Sequence, residues 1–509
     1  MGRRTDEQLL LDLVPPDRAI SNLTLLKELK SRRHWSDEKY WRVRNQLVQK
    51  GLLLVGRGPG GSVRKAEAPE PEESEPSATE DVSADLLFEE EEEDEADAQP
   101  EEGADEAVPQ LPALKQVRFE FWKSFQNATL QIDSLMVLIG TNASGKSNAL
   151  DGLQFLNRTA VGKELAVALG GDPTLAPLRG GVEWAALQGA SQFAIEVVVS
   201  GEDSRTDYVY RITVDVQPFL QLYGESLRRV RRRPRTQERP YEISLIQTEA
   251  PAPESPSITA RLYNGKGGTK KEAHRSTTIL SQLAGQLVGL RLPQEVVAGV
   301  GAIATALKGI FILDPIPSGM RGFSPLSESL RTDAANVAGV LAALPKEQKA
   351  EVEATLTGYI RKLPERDVRR VWAEPVGRFR SDAMLYCEEA WTRGGPPTTV
   401  DARGMSDGTL RMLAIITALL TRPRGSVLVI EEVDNGLHPS RSELLLRMLR
   451  ELGERRQIDV LVTTHNPALL DALGPEMIPF ITVAHRDPET GESLLTLLED
   501  LTALPKLMA

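Results

Sequence analysis

The sequence Leu135-Met-Val-Leu-Ile-Gly140-Thr-Asn-Ala-Ser-Gly145-Lys146-Ser147 decides the fold of this chain of 509 residues. Its first five residues are apolar and predict a buried strand, and the glycine-rich remainder predicts a phosphate-binding loop that opens a helix. In such a loop backbone N–H groups converge on phosphates, the lysine supplies positive charge and the serine hydroxyl binds Mg²⁺. The predicted nucleotide-binding residues are Gly140, Thr141, Asn142, Ala143, Ser144, Gly145, Lys146, Ser147 and Asn148. ATP and Mg²⁺ are therefore the expected ligands.

Two later strands end in polar residues that suit the same site. The apolar run Ser426-Val-Leu-Val-Ile430 is followed by Glu431 and Glu432. Beside a phosphate-loop strand, the first acid lies where Mg²⁺ sits and the second can orient or deprotonate the attacking water. We assign Glu431 to the metal, where Asp is the common residue, and Glu432 to catalysis. The run Asp459-Val-Leu-Val-Thr-Thr464 precedes His465, which we expect to sense or stabilise the γ-phosphate.

A fourth motif, Gly404-Met-Ser406-Asp407-Gly408-Thr-Leu-Arg411, predicts a helix that runs to about Leu420. Ser406 can cap this helix, and the helix N-terminus can bind an anion. The four motifs in this order resemble the ABC-type ATPases of the RecF/SMC/OLD group, and most closely the compact bacterial ATPases of the AAA family with Ser-Asp-Gly-Thr and Glu-Glu motifs. Phe119-Glu-Phe-Trp-Lys-Ser-Phe125 and Asp314-Pro-Ile-Pro-Ser-Gly-Met-Arg321 agree with that group as well.

The resemblance covers Leu111 to the C-terminus and implies an α/β head of the ABC type with an inserted β-lobe and helical lobe. It also implies a mechanism that needs two chains. In such heads the loop formed by Ser406, Asp407 and Gly408 closes on the ATP held by the other subunit, so that ATP joins a homodimer and hydrolysis separates it. Asp434 would lie at the dimer seam. A glutamine at the magnesium site is expected too, and Gln188 and Gln192 are open alternatives.

Composition divides the chain into three predicted domains. Residues 1–66 resemble a winged helix-turn-helix domain, whose helix Ser36–Lys50 and hairpin residue Arg57 are expected to contact DNA, or alternatively protein. Residues 67–110 are rich in Glu, Pro, Ala and Ser and predict a disordered linker. Residues 111–509 are the expected ATPase domain, with inserted lobes at about 200–395 that lack the heptads of a coiled-coil arm.

The formal net charge of −13 is concentrated in the linker. Residues 67–106 contain 20 acidic and no basic residues, so the rest of the chain is net positive by 7, an excess that residues 1–66 account for. The linker is then either a tether or a nucleic-acid mimic that occupies the basic N-terminal domain. Arg228–Arg235 is a second basic run, expected to be a solvated loop or alternatively a DNA-backbone contact.

Several protein classes are disfavoured by what the sequence lacks. Cys387 is the single cysteine, which excludes an intramolecular disulfide and a cysteine-based zinc site. No apolar run approaches the roughly 18 residues of a membrane span, and the N-terminus lacks a signal-peptide core, so no membrane contact and a cytoplasmic location are expected. About 40 residues follow His465, too few for the nuclease domain of OLD-type ATPases. Any nuclease is therefore expected to be a separate effector protein.

These features together predict an ATP-hydrolysing, ATP-dependent dimerising switch that associates with DNA, in DNA maintenance or in defence against foreign DNA. The alternative is a winged-helix transcription regulator whose ATPase head senses nucleotide. The ATPase subunit of a membrane transporter is disfavoured, because the inserted lobes are long and a winged helix has no role there.

Overall fold

A computed structural model describes most of the chain beyond residue 110 and scattered residues before it. The described residues are 6–14, 20–21, 25, 29, 39–40, 43–44, 47, 52–55, 62–65, 111–232, 240–286, 292–362, 368–389, 397–435, 441–466, 469 and 474–501. The predicted linker 67–110, the predicted helix start Ser36, the hairpin residue Arg57 and the basic residues 233–235 lie outside them.

The described chain contains 21 strands and ten α-helices. The strands are β1 (Ile20–Ser21), β2 (Leu53–Val55), β3 (Ser62–Lys65), β4 (Leu114–Trp122), β5 (Phe125–Gln131), β6 (Leu135–Ile139), β7 (Gln192–Ser200), β8 (Thr206–Asp215), β9 (Gln221–Arg231), β10 (Tyr241–Thr248), β11 (Ser257–Leu262), β12 (Thr269–His274), β13 (Ile310–Leu313), β14 (Ser324–Pro325), β15 (Val368–Val376), β16 (Asp382–Glu389), β17 (Thr398–Asp401), β18 (Val427–Ile430), β19 (Asp459–Thr464), β20 (Ile481–Arg486) and β21 (Ser493–Leu497). The α-helices are α1 (Asp6–Leu13), α2 (Lys146–Ala160), α3 (Leu165–Gly170), α4 (Ile279–Ala284), α5 (Gln294–Lys308), α6 (Pro317–Met320), α7 (Val337–Ala343), α8 (Lys346–Ile360), α9 (Asp407–Thr421) and α10 (Ser442–Arg456). Short 3₁₀ helices cover Ala402–Gly404, Pro475–Phe480 and Leu498–Asp500.

A six-stranded sheet lies at the centre of the head, with the order β13-β18-β19-β6-β20-β21. Its first five strands are parallel and β21 is antiparallel. Side chains alternate between the two faces of a strand. Val427 and Val429 of β18 accordingly join the core under α2, and Leu428 and Ile430 join the core under α9 and α10. Coverage on both faces explains why these strands are apolar throughout.

An eight-stranded antiparallel sheet forms the β-lobe, in the order β12-β11-β10-β9-β8-β7-β4-β5, and α5 packs on it. The basic run enters this sheet. Arg228 and Arg231 lie in β9 and pair with Glu242 at 3.0 Å and Asp203 at 3.3 Å. The prediction of a solvated loop is therefore wrong for residues 228–231, because alternation along β9 gives each arginine a carboxylate on a neighbouring segment.

The helical lobe consists of α7 and α8 packed on a small antiparallel sheet, in which β16 pairs with β14, β15 and β17. Strand β13 precedes this lobe in the chain. It belongs to the six-stranded sheet although it lies inside the span 200–395 that the sequence analysis assigns to inserted lobes. The β-lobe and the helical lobe are therefore separated in the chain by a strand of the central sheet.

The described residues near the N-terminus have a small core of their own. It includes Leu10, Leu25, Leu29, Tyr40, Val43, Leu47 and Leu53. Strands β2 and β3 pair antiparallel as the predicted hairpin, and β1 pairs with β3. The winged helix and the domain boundaries 1–66, 67–110 and 111–509 stay predictions. No helix of the described residues is both long enough and apolar enough to cross a membrane.

One carboxylate of the β-lobe is completely enclosed. Glu225 of β9 accepts hydrogen bonds from the backbone N–H groups of Ile279 and Leu280 at 2.6 and 2.7 Å, and from the hydroxyl of Tyr210 at 3.0 Å. Burial raises the pKa of Glu225 to about 7 from 4.5, against the opposing effect of these hydrogen bonds. Between about pH 4.5 and pH 7 the folded protein therefore keeps a proton on Glu225 that the unfolded chain has already released.

We expect the stability of the protein to depend on pH through Glu225. The stabilisation is fully present below about pH 4.5 and is lost as the pH rises through about 7. The loss is on the order of 3 kcal/mol, since one pH unit corresponds to about 1.4 kcal/mol. Thermal unfolding of the parent and of Glu225→Gln between pH 5 and pH 8 measures it. The melting temperature of the parent should fall relative to that of the variant as the pH rises, and a constant difference would contradict the assignment.

Candidate nucleotide-binding site

The phosphate-binding loop connects β6 to α2 at the carboxyl edge of the six-stranded sheet. Gly140, Ala143 and Gly145 have φ angles of 154°, 62° and 111°, so the loop depends on conformations that favour glycine. The Lys146 Nζ atom donates to the carbonyl oxygens of Gly140 at 2.6 Å and Thr141 at 2.9 Å. Burial lowers the pKa of Lys146, and Glu432 and Glu431 oppose this effect. The two predicted acids therefore act electrostatically on the predicted phosphate-binding lysine.

Strands β20 and β21 pack against the phosphate-binding loop. A Cβ atom added at Gly140 would lie 2.3 Å from the carbonyl oxygen of Ala484 in β20, and one added at Gly145 would lie 2.6 Å from the Ser493 Oγ atom in β21. The Arg486 Nε atom donates to the carbonyl oxygen of Ala143 at 2.9 Å. Sequence reasoning missed Arg486, because it belongs to no motif and reaches the loop only through the position of β20 beside β6.

The two predicted metal ligands meet in the fold. The Ser147 Oγ atom donates to the Glu431 Oε1 atom at 3.1 Å, although the two residues are 284 positions apart. A hydroxyl and a carboxylate are the oxygen ligands that Mg²⁺ prefers. The donor set therefore fits a magnesium ion bound with the phosphates of a nucleotide.

Arg179 is a residue of the site that the sequence analysis did not identify. Its Nη2 atom donates to both carboxylate oxygens of Glu431, at 2.8 and 2.7 Å. Its Nη1 atom lies 3.4 Å from Asp151, which pairs with the Lys123 Nζ atom at 2.6 Å. The Lys123 and Asp151 side chains are each 5% exposed, so this pair is a buried support of the site.

The buried pair of Lys123 and Asp151 holds Arg179 in place. Lys123 belongs to the segment Phe119–Phe125 that agrees with the ABC-type group, and its Nζ atom also donates to the carbonyl oxygen of Arg179 at 2.5 Å. Burial raises the pKa of Asp151, and the charge of Lys123 opposes that effect. Arg179 itself follows no strand and carries no motif, so no sequence signal pointed to it.

Glu432 and His465 lie at the ends of the neighbouring strands β18 and β19. Glu432 has a φ angle of 46°, a strained value for a residue other than glycine, and its N–H donates to the Thr463 Oγ1 atom at 2.9 Å. The His465 Nδ1 atom lies 3.8 Å from the Glu432 Oε1 atom. Both side chains are about half exposed, at 51% for His465 and 44% for Glu432. The fold thus brings together the two predicted catalytic residues with solvent access.

Asp314 adds a third carboxylate to this edge. Strands β13 and β18 are parallel, with Leu313 opposite Ile430, and the Glu431 N–H donates to the carbonyl oxygen of Leu313 at 3.2 Å. Burial raises the pKa of Asp314, and the carboxylate of Glu431 raises it further. The sequence pattern that indicates Asp314 is the short apolar run Ile310-Phe-Ile-Leu313 directly before it, because an apolar run that ends in an acid is typical of a buried strand end.

The Ser406 motif opens α9 as predicted. The Ser406 Oγ atom accepts a hydrogen bond from the Thr409 N–H at 3.2 Å and caps the helix. The Asp407 side chain is 65% exposed and pairs with Arg321 at 2.5 Å. The predicted contact of Ser406, Asp407 and Gly408 with a nucleotide concerns a second chain and stays a prediction.

Two further expectations concern the surroundings of the acids. The Gln192 Nε2 atom donates to the Asp215 Oδ1 atom at 2.7 Å, within the β-lobe. Asp434 is 8% exposed, and its Oδ1 atom makes no hydrogen bond within the described part of the chain. A buried carboxylate oxygen without a donor is costly, which makes Asp434 a position where a further polar partner would be stabilising.

Residues 135–281 and 397–471 match the family described as "AAA domain, putative AbiEii toxin, Type IV TA system". These two segments include the phosphate-binding loop, Arg179, the Ser406 motif, both glutamates and His465. The chain contains an ATP-binding head of the ABC type. The α/β fold predicted for the ABC head, with its β-lobe and helical lobe, is confirmed.

The ABC head is also similar to individual known proteins. It is 27% identical over 117 residues to the phosphonates import ATP-binding protein PhnC 1 of Ruegeria sp. (strain TM1040), and the match covers 23% of this chain and 41% of that relative. The SMC head domain from Thermotoga maritima has 13% identity and a TM-score of 0.36, over 76% of this chain and 98% of that chain. An SMC head from Pyrococcus furiosus, bound to the C-terminal domain of ScpA, has 11% identity and a TM-score of 0.40, over 78% and 100%.

We expect Gly140→Ala to weaken nucleotide binding by at least about tenfold, because the new methyl group meets a backbone oxygen at 2.3 Å that cannot rotate away. Gly301→Ala, in the interior of α5, is the matched control, since its Cβ atom has no neighbour within 4 Å and alanine favours a helix. Titration with a fluorescent ATP analogue measures both dissociation constants. Equal affinities in the two variants would contradict this account of the loop.

Proposed function

We propose that the ABC head hydrolyses ATP and that the chain is an ATP-dependent dimerising switch. The observation that supports hydrolysis is the convergence of three elements on one sheet edge: the phosphate-binding loop, the end of β18 and the end of β19. There Ser147 and Glu431 meet at 3.1 Å, and His465 lies 3.8 Å from Glu432. Nucleotide binding requires the loop, whereas hydrolysis also requires a base near the γ-phosphate. In this proposal Glu432 supplies that base from the end of β18, which β19 separates from the strand that leads into the loop.

Each side chain has a separate task in this proposal. Lys146 neutralises charge on the β- and γ-phosphates, Glu432 orients the attacking water and takes its proton, and His465 donates a hydrogen bond to the γ-phosphate. Ser147 and Glu431 hold Mg²⁺, which supplies positive charge to the phosphate oxygens when it is bound. The pairing of Gln192 with Asp215 leaves Gln188 as the proposed glutamine of the magnesium site.

The resemblance of the Ser406 motif to that of ATP-joined heads supports the proposed dimerisation. In the proposed dimer the N-terminus of α9, with Ser406, Asp407 and Gly408, contacts the γ-phosphate of the ATP held by a second copy of the chain. The Asp407 side chain is 65% exposed, and the buried Asp434 Oδ1 atom makes no hydrogen bond within the described part of the chain, so both residues support polar contacts with a second copy. ATP joins the two heads and hydrolysis releases them.

The remaining proposals rest on the sequence and on family resemblance. The basic N-terminal region binds DNA as a winged helix and responds to whether the heads are joined by ATP or separated. A separate effector protein acts downstream, in DNA maintenance or in defence against foreign DNA. The proposed location is the cytoplasm.

Steady-state ATP hydrolysis with and without duplex DNA tests the proposal. We expect Lys146→Ala to abolish hydrolysis by removing the phosphate-binding charge, and Glu432→Gln to lower kcat by about 10²- to 10⁴-fold while ATP still binds, because the amide cannot take a proton. The parent should respond to DNA. Measuring the ATP affinity of each variant separates a loss of phosphate binding, expected in Lys146→Ala, from a loss of the base, expected in Glu432→Gln.

Other results would favour another function. A parent protein that binds ATP but hydrolyses none with or without DNA would contradict the enzymatic proposal and favour the winged-helix regulator that senses nucleotide. Hydrolysis at the parental rate in Glu432→Gln would show that another group is the base.

A further inference from the structure

A short segment, residues 314–321, extends from a position beside the strand end that carries Glu431 and Glu432 to the Ser406 motif of the same chain. We name this segment the strap. The strap begins where β13 ends beside β18, because the Glu431 N–H donates to the carbonyl oxygen of Leu313 at 3.2 Å. Its first residue, Asp314, therefore leaves the sheet next to Glu431. Its last residue, Arg321, contacts the loop that precedes α9.

The strap is held firmly along its length. Its Asp314 and Ile316 N–H groups donate to the carbonyl oxygens of Thr332 and Asp333 at 2.8 and 3.0 Å. Pro315 and Pro317 are buried and fix their own φ angles, and Met320 is 1% exposed in the core of the helical lobe. These contacts restrict the backbone torsions of the strap from Asp314 to Pro317.

Arg321 binds the Ser406 motif and the residues before it through both terminal nitrogens of its guanidinium group. The Nη1 atom donates to three carbonyl oxygens, those of Ala402 at 3.2 Å, Arg403 at 2.9 Å and Met405 at 2.8 Å. The Nη2 atom donates to the Asp407 Oδ1 atom at 2.5 Å. Planar donors in fixed directions hold several acceptors at once, which a lysine ammonium on its flexible stem does less well. The shape of the loop up to Ser406 therefore depends on this side chain.

The charge of Arg411, one turn after Asp407 on α9, also opposes the effect of burial on the pKa of Asp314. The side-chain contact between the strap and α9 is that of Arg321 with Asp407. Arg321 itself donates to the Ser406 loop and not to the phosphate-binding loop.

We propose that Arg321 is a positioning residue that shapes the Ser406 motif for the ATP of a second head, and that the strap links this motif to the catalytic acids of its own chain. This inference rests on the ATP-joined dimer proposed above. Arg321 then acts in trans, on hydrolysis at the phosphate-binding loop of the partner. The occupancy of one site would alter the presentation of the Ser406 motif to the other site through the strap.

Mixing two inactive variants tests action in trans. We expect Arg321→Ala to lower kcat by about 100-fold, because small misplacements of a catalytic motif have effects of this size, while the affinity for ATP stays within about twofold. Lys146→Ala keeps an intact Ser406 motif but lacks the lysine of its own phosphate-binding loop. In a mixed dimer, the intact phosphate-binding loop of the first variant meets the intact Ser406 motif of the second. An equal mixture should recover about a quarter of the parental rate, since half of the dimers are mixed and each has one complete site.

Further variants exclude a simple loss of structure. Arg321→Lys keeps the charge without the planar group and should recover only part of kcat. Arg455→Ala, which removes a side chain 68% exposed on α10, is the matched control and should keep the parental rate. A misfolded Arg321→Ala chain would neither bind ATP nor regain activity in the mixture, so recovery in the mixture also establishes folding.

The outcomes distinguish the two proposals. If the parent hydrolyses ATP and dimerises with it, but Arg321→Ala keeps the parental kcat, or is not restored by Lys146→Ala, the role of Arg321 in trans is overturned and the switch stands. If Glu432→Gln with ATP stays a monomer by light scattering and the parent is inactive, the dimerising switch fails, and the inference about Arg321 fails with it.

Discussion

The parallel pairing of β13, β18, β19 and β6 is the constraint on which the rest of the head depends. Parallel strands that leave a sheet at the same edge bring together whatever residues follow them. Asp314, Glu431, His465 and the phosphate-binding loop are the residues that follow these four strands. A shift of one residue in register would move alternate apolar side chains from one core to the other. The same packing that buries the strands therefore fixes the geometry of the site.

The site also depends on how its charges are compensated. Three carboxylates lie at one edge, and Arg179, Lys146 and Arg411 are the cations that act on them. Such a grouping is stable only where each charge has a partner, and the buried pair of Lys123 and Asp151 holds the Arg179 segment against α2. Lys123, directly after β4, thus contributes to a site whose acidic residues, Glu431 and Glu432, lie about 300 residues later in the chain.

The sequence by itself determined those features that depend on local patterns. The phosphate-binding loop follows an apolar strand and opens a helix, and the run before Glu431 and Glu432 is a buried strand. Ser406 caps α9, which ends at Thr421, one residue beyond the predicted end. Each of these depends on glycine torsions, apolar runs or a capping hydroxyl within about ten residues, and such interactions form in the same way wherever the segment lies.

Only the tertiary structure decided which distant residues join the site. Arg179 and Arg486 belong to no motif, and the segment that contains Lys123 indicated no role for that lysine. They reach Glu431, the phosphate-binding loop and Asp151, respectively, only in the folded chain. Residues 228–231 of the basic run lie in β9, where carboxylates on neighbouring segments pair with their arginines. Strand order and side-chain pairing between remote segments are set by the packing of the whole chain, so the sequence pattern of any one segment does not contain them.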